Sequence, residues 1–247
     1  MENRIKPKIT VAFLALFLLL AGCKMIENKG ENTSSDSQAS IVSEASKSEP
    51  SQNKTEDDPL RESKEPSEDK PPKDEDLVLI KDYIPDAVFD IRYATENNFT
   101  GKKIYDSSDA YLRYGTVKKL IAVQDDLKKQ GYRLLIWDAF RPTEAQRKLW
   151  EAFPDPNFVS DPSKGFSGHC RGNTVDITIV RSDRSEVEMP SGFDEFGALA
   201  DRDYSDVSAN AAENARLLEQ IMIKNGFTGY SKEWWHFSDT VKYDVVT

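Results

Sequence analysis

The sequence predicts one α+β domain over residues 77–247, with helices flanking a sheet of short strands. Three observations lead there. All four Trp and all nine Tyr of the 247-residue chain lie after residue 76, and the 171 residues that follow are an ordinary size for a single hydrophobic core. Apolar residues recur there with helical spacing in some stretches and with strand spacing in others. The strand-like runs are short, which favours α+β over a doubly wound parallel sheet.

In chain order, residues 88–94 alternate well enough for a strand. Residues 116–130 read as a helix: Val117, Leu120, Ile121 and Leu127 share one face, Lys118, Lys119, Asp125, Asp126, Lys128 and Lys129 the other, and Gly131 stops it. Residues 132–138 are mostly apolar and suit a buried strand. Pro142 opens a second helix through Ala152, since proline is tolerated in a first turn. Residues 174–180 are a β-branched strand. Ser208 caps a third helix that ends at Gly226. Residues 233–238 form a last, aromatic strand, in which Trp234 and Trp235 read as core rather than as a sugar platform.

Two segments precede this domain. Arg4, Lys6 and Lys8 followed by an apolar run over 9–20 describe an export signal, and the run is shorter than the ~20 residues of a bilayer span. Leu20-Ala21-Gly22-Cys23 resembles the lipobox of bacterial lipoproteins. That resemblance implies a signal peptide over 1–22, lipid on Cys23 and anchoring to the extracytoplasmic face of the membrane; an uncleaved apolar anchor gives the same topology. Residues 23–76 read as a disordered stalk. From residue 24 onward they contain no aromatic residue and carry 8 Lys+Arg against 15 Asp+Glu, too little apolar surface to offset the entropy of ordering. As a coil the stalk spans roughly 40 Å. Much of the net charge of −10 therefore lies in the stalk. The concentrated basic face that nucleic acid requires is missing. With Cys23 lipidated, Cys170 has no disulfide partner.

The chain has two histidines, His169 and His236. A catalytic zinc site takes three His or carboxylate ligands and leaves one position open. His169 in a glycine-bounded loop, Asp176 at the start of the following strand and His236 on the last strand supply such a set for one Zn2+. Glu233, three residues before His236, is placed to act as general acid and base. Arg141, at the end of a buried strand, is placed to stabilise an oxyanion. Taken singly, each residue also fits an ordinary role: a structural or surface histidine, a turn aspartate, an arginine at a helix entry.

The pattern becomes specific when these residues are taken together. Ser167-x-His169-x-Arg171-Gly172-x-x-x-Asp176 and Glu233-x-Trp235-His236 resemble the two signature motifs of the D-Ala-D-Ala dipeptidases, the VanX-like branch of the zinc DD-peptidases. Three further blocks are similar and in family order: Tyr93-Ala94-Thr95 with Asn98-Phe99-Thr100-Gly101, Trp137 to Pro142, and Ser191-Gly192-Phe193-Asp194. The resemblance implies a hedgehog/DD-peptidase-like zinc domain with a central, mainly antiparallel sheet. It implies zinc on His169, Asp176 and His236, Glu233 and Arg141 as catalytic residues, and Tyr93, Asp138, Ser167 and Asp194 as residues that shape the pocket or bind substrate. It also implies D-Ala-D-Ala or a related peptidoglycan peptide as substrate. A zwitterionic dipeptide fits those roles, its ammonium against Asp194 and its carboxylate against the Ser167 hydroxyl and nearby N–H groups.

The sequence departs from the family twice. Cys170 stands where relatives usually have Ser; it has no metal role, though a free thiol there leaves room for sensitivity to oxidation. Residues 196–208 lack the histidine that relatives carry after the Asp194 block, which puts the pocket lid and strict dipeptide specificity in question. Two other functions use the same scaffold: a D,D-carboxypeptidase trimming stem peptides, and a catalytically silent wall-binding or sensor lipoprotein.

Overall fold

The computed structural model describes residues 70–246; the signal segment, Cys23 and most of the stalk lie outside them. The domain is α+β, as expected. Its main sheet has five strands: β2 (Val88–Phe89), β4 (Tyr132–Asp138), β5 (Thr174–Arg181), β6 (Phe227–Tyr230) and β7 (Glu233–Asp239), in the order β2-β4-β5-β7-β6. Only the β2–β4 pair is parallel; the other three pairs are antiparallel. A two-stranded ribbon pairs β1 (Leu77–Leu79) with β3 (Tyr111–Arg113). A short helix α1 (Ile80–Tyr83) follows β1.

Three longer helices complete the domain: α2 (Tyr114–Lys129), α3 (Thr143–Ala152) and α4 (Ala209–Lys224). The periodicity of α2 does what its sequence predicts: Val117, Leu120, Val123 and Leu127 are fully buried, each contributing ~1.5–3 kcal/mol. They meet β4 and α4 in a core that includes Leu134, Ile136, Ile177, Leu218 and Phe237. Gln124 Oε1 accepts the Leu134 N–H at 2.8 Å and ties α2 to β4. Helix α4 begins where Ser208 Oγ accepts the Ala211 N–H, a standard N-cap bond, and stops before Gly226, whose φ of +86° suits glycine. Trp234 and Trp235 are core residues.

Most boundaries agree with the sequence reading to within a residue or two, Pro142 standing just before α3 and not within it, but two differences have a structural cause. Helix α2 starts two residues early because the backbone before Leu77 satisfies its first donors: Tyr114 and Gly115 N–H donate to the Asp76 and Asp74 carbonyls. Contacts with the domain thus begin within the segment that composition assigns to the stalk. The strand expected over 88–94 stops at Phe89. Its partner β4 bulges after Ile136, so the parallel ladder ends, and the chain turns into a 3-10 turn at Arg92–Ala94. Ile91 and Tyr93 keep the alternation because both are buried, but in a turn that delivers Tyr93 to the site described next.

Candidate active site and metal centre

A turn of four residues, Gly168–Arg171, carries His169. Ser167 Oγ accepts the His169 N–H at 3.3 Å, and Gly172 closes the turn in the left-handed region. Gly168 is required by space: a Cβ there would lie 2.2 Å from Thr174 Oγ1. Asp176 and His236 face each other across β5 and β7.

The three side chains converge. One ligand atom from each of His169, Asp176 and His236 lies within 4.8 Å of the other two. The nitrogens facing Asp176 are Nε2 of His169, 3.3 Å from Oδ2, and Nδ1 of His236, 3.0 Å from Oδ1. The other nitrogen of His169, Nδ1, lies 2.8 Å from the Ala139 carbonyl; donating there, it leaves Nε2 as the free lone pair. A backbone partner of this kind orients metal-binding histidines. Burial opposes ionisation of Asp176, but the two imidazoles outweigh it and hold its pKa well below the usual carboxylate range. Burial likewise opposes charge on His169, and Asp176 with Asp138 overcomes it and raises its pKa.

Glu233 stands beside this set, its Oε2 3.6 Å from His236 Nδ1. In a regular strand two residues three apart point to opposite faces. Here the β6–β7 register slips: Gly229 pairs with Phe237, yet Tyr230 pairs with Glu233. The bulge brings Glu233 to the side of His236, a common use of bulges near active sites. Burial, reinforced by the Asp176 and Asp194 charges against the pull of His236, pushes Glu233 up to about 7.

Arg141 is buried below the pocket wall. Its Nη2 donates to Asp138 Oδ2 at 2.6 Å, its Nη1 to Gln146 Oε1 at 2.9 Å and its Nε to Tyr105 Oη at 3.3 Å. The guanidinium lies 5.1 Å from the Tyr93 ring centroid. Three of its five N–H groups are thereby used, leaving two. Tyr93 Oη donates to Asp194 Oδ2 at 2.7 Å. Burial, with the Asp176 charge, pushes Asp194 up to about 8.

His169, Asp176, His236, Glu233, Arg141, Tyr93, Ser167 and Asp194 all line one cavity of about 280 Å³. A family model described as D-Ala-D-Ala dipeptidase matches residues 73–243. The chain belongs to this peptidase M15 family. The D-alanyl-D-alanine dipeptidase of Escherichia coli K12 is 36% identical over 162 residues, which are 66% of this chain and 83% of the relative. The enzyme of the same name from Enterococcus faecium is 35% identical over 60% of this chain and 84% of its own length. A structure of the vancomycin-resistance D,D-pentapeptidase VanY with Zn(II) shows a slight likeness, with a TM-score of 0.36 at 17% identity over 55% of this chain and 76% of that one.

Within this dipeptidase-family domain one expected substrate-binding residue lies elsewhere. Asp138 is fully buried and does not line the cavity. The β4 bulge turns it inward, where Oδ1 accepts from Tyr105 Oη and the Ala139 N–H while Oδ2 accepts from Arg141. From there it holds Arg141, which does line the cavity. Cys170 is also fully buried, and burial pushes its thiol up to about 11, so it is no exposed redox point.

The sequence reading missed Tyr105 and Gln146, which position Arg141, and an aromatic part of the cavity wall. Residues 156–160 and Phe196 line the cavity, Phe158 stacking on Phe196 at 4.5 Å between centroids. No spacing in the sequence joins Tyr105 to Arg141. The one signal for Gln146 is its place within the first turns of α3.

Proposed function

We propose that this protein hydrolyses D-alanyl-D-alanine with a single zinc ion held by His169, Asp176 and His236. The observation that carries this reading is the convergence of two imidazoles and a carboxylate within 4.8 Å, with the Glu233 carboxyl beside them. The donor set suits catalytic zinc, which takes three such ligands and leaves a position open. Bound there, zinc supplies Lewis acidity and lowers the pKa of water to about 7.

The chain's own residues account for the rest. Glu233, held near 7, takes a proton from the attacking water and returns it to the leaving amine. Arg141 lines the cavity and keeps two N–H groups for the developing oxyanion. Asp194, held up to about 8 by burial and the Asp176 charge against the pull of Arg141, ionises when a substrate ammonium arrives. Ser167 accepts the His169 N–H and so keeps its own O–H for the substrate carboxylate. A longer peptide places no ammonium at Asp194 and forgoes that ion pair, so the cavity favours dipeptides.

The lipobox-like Leu20-Ala21-Gly22-Cys23 supports a lipid anchor at Cys23 on the extracytoplasmic face, where peptides derived from peptidoglycan are the available substrates. The test is release of D-alanine from D-Ala-D-Ala by the full chain, loss of that activity with a chelator and its return with zinc. Glu233→Gln should keep the metal and lose kcat by about 10²–10⁴-fold. A metal-loaded protein that leaves the dipeptide intact would overturn the reading. Preference for a muramyl pentapeptide would replace it with a D,D-carboxypeptidase.

A further inference from the structure

The bulge that aims Glu233 and His236 leaves backbone without a strand partner: none of Trp234, Trp235 and His236 pairs with β6. A single side chain from the segment before α4 fills that gap. Arg202 donates from Nη2 to the Trp234 carbonyl at 3.0 Å and to the His236 carbonyl at 2.9 Å, and from Nε to the Tyr230 carbonyl at 2.8 Å. Its backbone N–H donates to the Ser231 carbonyl at 3.1 Å. Its guanidinium carbon lies 4.4 Å from the Phe237 ring centroid, and Nη1 lies 3.1 Å from Glu219 Oε1 on α4. Gly229 makes room: a Cβ there would lie 2.3 Å from that carbon.

We infer that Arg202 is a positioning residue for the metal centre, a planar fork that holds the β6–β7 bulge and so sets where Glu233 and His236 point. The inference rests on the metal-dependent reading above but adds a residue that touches neither metal nor substrate. A fork is needed because three carbonyls in different directions must be met at once, which a point-like ammonium cannot do. The residue also gives a role to the histidine-free stretch after Asp194, which anchors the hairpin from behind.

The test compares Arg202→Lys, Arg202→Met and Gly229→Ala in the full chain with Leu218→Ala, a core change in α4 that removes none of the Arg202 hydrogen bonds. Zinc affinity is read by competition with a chromophoric chelator, and kcat and KM on D-Ala-D-Ala are read after saturation with zinc. All measurements are made well below each variant's thermal midpoint. Arg202→Met and Gly229→Ala should weaken zinc by about 10–100-fold and lower kcat with KM nearly unchanged. Arg202→Lys should recover part of the loss, and Leu218→Ala should lower the midpoint without either change. If Arg202→Met does not fold, Gly229→Ala and Arg202→Lys carry the comparison, since both keep a cation. The inference fails if these variants bind zinc and turn over like wild type, if Lys serves as well as Arg, or if Leu218→Ala shows the same losses. An inactive wild type with full zinc affinity would count against the proposed reaction and leave the affinity comparison standing.

Discussion

Asp138 and Arg141 form a buried ion pair, Oδ2 to Nη2 at 2.6 Å, with the carboxylate wholly out of solvent. A charge in that position is tolerated only when its partner is present, since breaking a buried pair costs ~3–5 kcal/mol. Asp138→Asn keeps the shape and removes the counter-charge. It should lower stability to denaturant by on the order of 3 kcal/mol and kcat by about a hundredfold, with a smaller change in KM. A kcat within threefold of wild type would mean that Arg141 does not depend on Asp138 for its place.

The aromatic wall of the cavity should limit peptide length. Phe158 stacks on Phe196, and Phe153 and Phe99 extend the same aromatic cluster. Phe158→Ala enlarges the cavity that Asp194 also lines and changes no residue of the metal set. Turnover of D-Ala-D-Ala should fall by roughly tenfold, the scale of one lost apolar contact, while the ratio of tripeptide to dipeptide turnover rises. An unchanged ratio in competition assays would assign the length limit to Asp194 alone.

Cys170 should be chemically silent in the folded protein. With its thiol pushed up to about 11, only about one molecule in a thousand carries a thiolate at pH 8. Alkylation followed by mass spectrometry should show no labelling of Cys170 until denaturant unfolds the domain, and peroxide should leave zinc affinity unaltered. Rapid labelling under native conditions would show that the turn carrying His169 opens.

Stability should depend on acid pH through Asp126. This carboxylate of α2 bonds Lys129, Lys224 at 2.8 Å and Asn225, and those partners hold its pKa well below the ordinary value. A depressed folded-state pKa contributes stability that is full above the unfolded value of ~3.9 and is lost progressively as pH falls from there through the folded-state pKa. The thermal midpoint of Asp126→Asn should therefore lie below wild type at pH 7, with the gap beginning to narrow below about pH 4 and shrinking steadily as pH falls toward the depressed folded-state pKa. A gap as wide at about pH 2 as at pH 7 would assign the effect to shape rather than charge.

Sequence alone named the candidate site residues, and the resemblance of their motifs to a family made the pattern specific. With two histidines in the chain, the metal-binding set had few alternatives, and the spacing of Glu233, His236, His169 and Asp176 is a property of the chain itself. Helices α2 and α4 were legible because burial of one face writes a local period into the sequence. Direction was not legible. That Glu233 joins His236 on one side of β7, that Asp138 turns away from the cavity to grip Arg141, and that Arg202, Tyr105 and Gln146 brace the site all follow from two strand bulges and from bonds between segments far apart in the chain. A bulge depends on the partner strand's register, and an orphan carbonyl is satisfied by whichever remote donor the packed fold brings near it, so neither leaves a periodic mark that a one-dimensional reading can find.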